Sequence, residues 1–174
     1  MSLKFLITGC HGDLAFSFEF IIKKNFKNAI LIGSDISSHG TGNVIFDKIY
    51  KVPKSNSHKY LTEILEISKL VNLIIPSTDN EIYFFSKKRK NFKNKNLIKN
   101  QNIIDLFSDK FKTQKFLKKN FIDLSLKFSI KLSDYLDLKK IPPPFFLKKI
   151  SGSGNQNYKM IENKNDLNKL KFLD

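Results

Sequence analysis

Leu3-Lys4-Phe5-Leu6-Ile7-Thr8-Gly9-Cys10-His11-Gly12-Asp13 reads as a short buried strand that breaks into a glycine-flanked turn and opens a helix. From Asp13 onward the apolar residues Leu14, Ala15, Phe18, Ile21 and Ile22 recur at helical spacing, and Asp13 is placed to cap that helix. Ala29-Ile30-Leu31-Ile32-Gly33 is a second strand, closing at Ser34-Asp35. Strand, helix and strand in this order form a βαβ unit, which builds a parallel sheet.

Working outward, Ser37 to Gly42 is a loop, and Lys48-Ile49-Tyr50-Lys51-Val52-Pro53 is a short strand closed by proline. His58 to Leu70 carries an apolar stripe of Leu61, Ile64, Leu65 and Ile67. Val71-Asn72-Leu73-Ile74-Ile75-Pro76 is a further buried strand, followed by Ser77-Thr78-Asp79-Asn80-Glu81 and a helix through Ile82, Phe84 and Phe85. Leu97-Ile98 starts a last short strand. Alternation of strand and helix through residues 3–107 predicts an open α/β sheet of the Rossmann type. The rhythm then changes. Ser108-Asp109-Lys110 opens a helix with Phe111, Phe116 and Leu117 on its apolar side, Phe128 to Ile130 reads as a strand, and Ser133 caps a helix to Leu138. The prolines at 142–144 make a linker into a strand at 145–149. Ser151-Gly152-Ser153-Gly154 is a loop before a second strand at 158–162, and Asn165 begins a final helix. Residues 1–107 and 108–174 are the two expected domains.

The 41% hydrophobic fraction suffices for a core, and no apolar run approaches the length of a membrane span. The single cysteine, Cys10, excludes an internal disulfide and suits a reducing, cytoplasmic setting. The net charge is +15, with Arg89 the one arginine. Scattered lysines without arginine speak for non-specific attraction and against specific nucleic-acid readout.

Three chemistries compete. Thr8-Gly9-x-x-Gly12-x-x-Ala15 is a partial dinucleotide fingerprint, with Asp35 where a ribose-binding acid would stand. It leaves open an NAD(P)- or nucleotide-sugar-binding module of the extended short-chain dehydrogenase type, although a glycine turn needed only for packing explains it as well. A non-catalytic interaction domain is a further alternative. Cys10, His11, His39 and His58 lack metal-ligand spacing, so no metal residues are assigned. The third chemistry lies at Phe145 to Gly154, where a strand ends in Lys148-Lys149 and opens into the Gly/Ser loop. Lysine supplies charge and glycine lets backbone N–H groups approach a phosphate.

The motifs in sequence order resemble the ATP-grasp ligases of the carbamoyl-phosphate-synthase-like group. The matching stretches are Thr8-Gly9-Cys10-His11-Gly12, Asp35, Asp47 to Pro53, Ile75-Pro76-Ser77-Thr78-Asp79-Asn80-Glu81, Asp109-Lys110-Phe111-Lys112-Thr113 and Pro144 to Gly154. Lys149 stands where that family has proline, and Asn155-Gln156 replaces the usual loop-closing residues. The resemblance implies a Rossmann-like pre-ATP-grasp domain followed by a partial ATP-grasp lobe of α+β type. It implies that Lys110 and Lys148 contact ATP and that Ser151, Gly152, Ser153 and Gly154 cover its phosphates. The family's reaction activates a small carboxylate through an acyl phosphate, which an amine or similar nucleophile then attacks. Magnesium ligands are expected in a second lobe beyond Asp174, so the catalytic residues are unassigned and the isolated chain is expected to be inactive. A homodimer is left open.

Overall fold

The computed structural model describes residues 2–93, 95–98, 100–121, 123, 140–148, 150 and 158–168. The chain divides into two units, Met1–Ile104 and Asp105–Asp174.

In the first unit, β1 (Lys4–Thr8), β2 (Ile30–Asp35), β3 (Lys48–Lys51) and β4 (Leu73–Pro76) form one sheet in the order β3-β2-β1-β4. All three pairings are parallel, as the alternating apolar runs require. Leu97-Ile98 does not form the expected strand. That segment contributes one parallel bridge, between Ile74 and Asn96.

β1 is buried on both faces because helices cover both sides of the sheet. Phe5 and Ile7 point to one side, where they pack with Ala15, Ile22, Leu31, Phe46 and Ile75. Leu6 points to the other, where it packs with Ile32, Tyr60, Ile64, Ile74, Phe85 and Phe92. The two-residue period of a strand makes this division. The first side is covered by α1 (Asp13–Asn25), the second by α2 (Tyr60–Ser68) and α3 (Asp79–Lys87).

Two details of α1 depart from the sequence reading. Gly12 is its N-cap, with extended backbone and no side-chain cap, and Asp13 is the first helical residue. There the Asp13 carboxylate still complements the helix dipole. Its buried residues are Ala15 and Ile22, whereas Leu14 and Ile21 are exposed. Ala15 and Ile22 share one face seven residues apart, and Leu14 and Ile21 share a row about 100° round the helix. The small Ala15 marks the side that comes closest to the sheet.

A helix absent from the sequence reading, α4 (Gln101–Phe107), spans the boundary of the units. Asn100 Oδ1 accepts the N–H groups of Asn102 and Ile103 at 3.0 and 3.3 Å, a cap that the apolar pattern does not advertise.

In the second unit, α5 (Lys110–Asn120) is followed by β5 (Phe145–Lys148), β6 (Tyr158–Ile161) and a short α6 (Lys164–Asn168). β5 and β6 are antiparallel, with Phe146 opposite Met160 and Lys148 opposite Tyr158. α5 buries none of its residues, so Phe111, Phe116 and Leu117 do not form the expected core stripe. Among the described residues of this unit, the buried apolar side chains are Ile141 and Ile161. The strand expected at 128–130, the helix at 133–138 and the loop Ser151, Gly152, Ser153 and Gly154 lie outside the described residues, as does Lys149.

Candidate functional site

Ligands of open α/β sheets bind at the carboxyl ends of the strands, where the strand order reverses. Here that place lies between the turn after β1 and the turn after β4. Gly9 has φ +64, and a Cβ placed on it would lie 2.5 Å from Thr78 Cγ2, 2.9 Å from Ser77 Oγ and 3.1 Å from Glu81 Oε2. Glycine is therefore required both by its left-handed backbone and by the β4–α3 turn packed against it. The Ser77 hydroxyl donates to the Thr8 carbonyl at 2.6 Å and approaches that of Gly9 at 3.2 Å, joining the two turns. The space a dinucleotide pyrophosphate would use beside Gly9 is filled by protein. Asp35 is engaged as well. One carboxylate oxygen accepts the His11 N–H at 3.2 Å, and the other accepts the Ser37 N–H at 3.3 Å. The packing explanation of the glycine turn is the one this geometry favours.

Glu81 sits directly behind this junction and is buried. The Tyr60 hydroxyl donates to Glu81 Oε1 at 2.8 Å, and the Thr78 hydroxyl donates to Oε2 at 2.7 Å. Thr78 also caps α3 by accepting the Glu81 N–H at 3.4 Å. Burial raises the Glu81 carboxyl above the usual carboxylate range, against the pull of these hydroxyl donors. Burial and the neighbouring Glu81 raise the Tyr60 phenol likewise. Sequence reading missed Tyr60, because it stands at the first turn of α2 and outside the aliphatic stripe. Its aromatic ring next to a buried acid was the available signal.

The ligand atoms of Cys10, His11 and Asp35 lie within 4.8 Å of one another, a grouping that linear spacing did not reveal. Each group is already committed. The Gly42 N–H donates to His11 Nδ1 at 3.0 Å, which leaves the proton on Nε2, 3.2 Å from the Ser37 carbonyl. A Cβ on Gly40 or Gly42 would strike the His11 ring at 2.5 or 2.9 Å, so these glycines let the loop close over the imidazole. Cys10 is fully buried, and its thiol is pushed up to about 12 by burial and then by Asp35. The trio locks the 36–42 loop onto the β1–α1 turn. Magnesium prefers an all-oxygen octahedral set, which a thiol and an imidazole do not provide. Among the described residues, no grouping fits that ion.

The second unit brings Lys110 and Lys148 into one neighbourhood. Lys110 is the first residue of α5, capped by Asp109, whose Oδ1 accepts the N–H groups of Phe111 and Lys112, each at 2.9 Å. The Lys110 N–H donates to the Ile150 carbonyl at 2.9 Å, tying the start of α5 to the chain just beyond β5. Lys148 is exposed at the end of β5, with Nζ 5.9 Å from the Phe146 ring centre. Phe146 in turn meets Tyr158 edge-on at 5.9 Å. Phe146, Lys148, Tyr158 and Met160 therefore share one exposed face of the β5–β6 pair. Two lysines beside an aromatic surface suit a nucleotide, with its charged phosphates and flat base.

No curated protein sequence matches the chain significantly. Several solved structures share its fold. N5-carboxyaminoimidazole ribonucleotide synthetase from Thermotoga maritima is 20% identical over 97% of this chain and 43% of that one, with a TM-score of 0.61. The Staphylococcus aureus N5-carboxyaminoimidazole synthetase, complexed with ADP, is 16% identical over 97% and 44%, at 0.64. The biotin carboxylase domain dimer of Hydrogenobacter thermophilus 2-oxoglutarate carboxylase, in complex with MgADP, ADP and bicarbonate, is 16% identical over 97% and 40%, at 0.63. At these identities the likeness is one of fold, and this chain spans less than half the length of each. The family described as PylC-like, N-terminal domain, matches residues 6–99. With the motif order and the parallel sheet, these findings bear out the recognition of an ATP-grasp ligase fold, and the chain belongs to the PylC-like N-terminal domain family.

Proposed function

We propose that this chain supplies the pre-ATP-grasp domain, residues 1–107, and part of the ATP-binding lobe, residues 108–174, of an ATP-dependent carboxylate–amine ligase. The observation that carries the reading is the hydrogen bond from the Lys110 N–H to the Ile150 carbonyl, which brings the start of α5 to the end of β5. In this reading Lys110 and Lys148 bind the nucleotide, and Ser151, Gly152, Ser153 and Gly154 close over its phosphates. A carboxylate oxygen of the substrate attacks the γ-phosphorus of ATP and ADP departs. The amine then attacks the acyl carbon, inorganic phosphate leaves, and the nitrogen loses a proton. The two lysines offset negative charge as it shifts toward the leaving ADP. Magnesium, when bound, would screen the same phosphates. Its ligands belong to the remainder of a full-length ligase, and the 174-residue chain alone does not turn ATP over.

The nucleotide reading is tested by recording amide NMR spectra of the chain during titration with MgATP. Shifts are expected at Lys110, Lys148 and residues 151–154, weakened by salt and by Lys148→Ala. Shifts confined to Gly9–Gly12, or saturable binding of NADH or NADPH, would overturn it in favour of the dinucleotide-binding module. In a ligase carrying this segment, Lys148→Ala is expected to slow the chemical step roughly 100-fold, about 3 kcal/mol, as for removal of one charge-stabilising donor. The buried, unbridged Cys10 is consistent with a cytoplasmic setting. Among the described residues no helix is long and apolar enough to cross a membrane.

A further inference from the structure

α1 carries an apolar surface that the fold of its own unit leaves uncovered. Ala15 and Ile22 are buried, but Leu14, Phe20 and Ile21 are 55%, 66% and 55% exposed. In a helix of 3.6 residues per turn, Leu14, Ser17, Ile21 and Lys24 fall in one row, with Phe20 beside it. A helix that is apolar nearly all round is normally covered all round. The row is also polarised. Asp13 stands in the first turn, and Lys23 and Lys24 stand in the last. Ser17, small and central in the row, lets a second backbone come close.

We propose that this row is a self-association face, on which the α1 helices of two copies pack antiparallel about a two-fold axis near Ser17. Such an interface is isologous, so each contact occurs twice. Leu14 of one copy lies against Ile21 of the other, and Asp13 lies beside the second copy's Lys24. Antiparallel packing also sets the helix dipoles head to tail. Parallel packing would set Asp13 against Asp13 and lysine against lysine. One helix row is smaller than a standard interface, so the dimer is weak and concentration-dependent. Two chains of net charge +15 repel each other, so added salt tightens the dimer by screening that repulsion. An acidic partner on the same face would be released by salt instead.

The test is sedimentation of the 174-residue chain from low micromolar to near-millimolar concentration at two salt concentrations. A monomer–dimer equilibrium that tightens with salt is expected. Ile21→Lys should raise the dissociation constant at least tenfold, on the order expected for a central interface residue. Because Ile21 is exposed, its melting temperature should hold. Cysteine pairing reads the geometry directly, since native Cys10 is fully buried. Leu14→Cys chains mixed with Ile21→Cys chains should cross-link to each other, and Ser17→Cys chains to themselves, whereas Leu14→Cys alone should not. A chain that stays monomeric throughout, an unchanged constant in Ile21→Lys, or cross-linking of Leu14→Cys with itself would overturn the proposal.

Discussion

β1 and β5 look alike as sequence. Each is a short apolar run that leads into a glycine-bearing turn or loop. In the structure they differ in what surrounds them. β1 pairs with β2 and β4 and is covered on both faces, and its last four residues are all buried. β5 pairs with β6, and its residues alternate between half-buried and exposed. A glycine turn beside the first strand is pressed by neighbouring protein and serves packing. A strand with an open face, ending in an exposed lysine, has surface left for a ligand. The neighbours of a Gly turn, rather than its glycine count, decide its role.

The sharpest way to break this contrast is to add a methyl group at Gly9. Gly9→Ala combines left-handed strain of about 1–2 kcal/mol with overpacking against Thr78 and Ser77 of about 1–3 kcal/mol. A loss of roughly 2–5 kcal/mol is expected in urea unfolding of the first unit. Gly12→Ala, whose nearest contact would be an ordinary 3.4 Å to the Gly9 carbonyl, should cost less than about 1 kcal/mol. If the two substitutions cost the same, the β4–α3 turn does not press on Gly9.

The next effect lies behind that turn. Tyr60→Phe removes the phenol donor from the buried Glu81 carboxyl and should cost about 1–3 kcal/mol. Glu81 also imposes a pH dependence whose sign follows from burial. Its folded pKa is raised, so its share of stability is complete below the unfolded value of about 4.3 and declines as pH rises toward the folded value. The slope in that window approaches about 1.4 kcal/mol per pH unit. Glu81→Gln should flatten it, and should gain on the native protein as pH rises from acid to neutral. A native protein that grows more stable over that range at Glu81's expense would contradict the assignment.

How much of this was legible in sequence depended on how local the signal was. The parallel sheet was readable from β1, β2 and β4, because a strand covered on both faces is apolar at nearly every residue. The Asp109 cap and the helix behind it were readable because a cap lies next to what it caps. The α1 stripe was misread because Leu14 and Ile21 are as apolar as Ala15 and Ile22, and hydrophobicity cannot say which side of such a helix meets the sheet. The Tyr60–Glu81 and Cys10–His11–Asp35 contacts were invisible because each joins side chains that only the fold brings together. α4 escaped because Asn100 announces its start while its apolar residues, none of them buried, form no core stripe.

A smaller effect separates the two units. Asp109→Ala removes the acceptor of two N–H groups at the start of α5 and should cost about 1 kcal/mol of local stability. Hydrogen exchange should rise at Phe111 and Lys112, while the first unit, with its own two-sided core, unfolds at the same urea concentration. A matching fall in the first unit would show that the two do not unfold independently.

The smallest expected effect is at Cys10, and there the outcome is close to no change. With its pKa pushed up to about 12, chiefly by burial, its thiolate fraction at pH 8 is roughly 10⁻⁴. Reaction with a thiol reagent should therefore be slow and should follow the unfolding equilibrium: accelerated in Gly9→Ala, unchanged in Asp109→Ala. Zinc would have to take a proton from that thiol and break one of the two hydrogen bonds that hold the His11 ring. Adding zinc should leave the melting temperature of the first unit where it was. A rise that disappears in Cys10→Ala and in His11→Ala would mean that the trio binds metal, and that the β1–α1 turn has a role beyond packing.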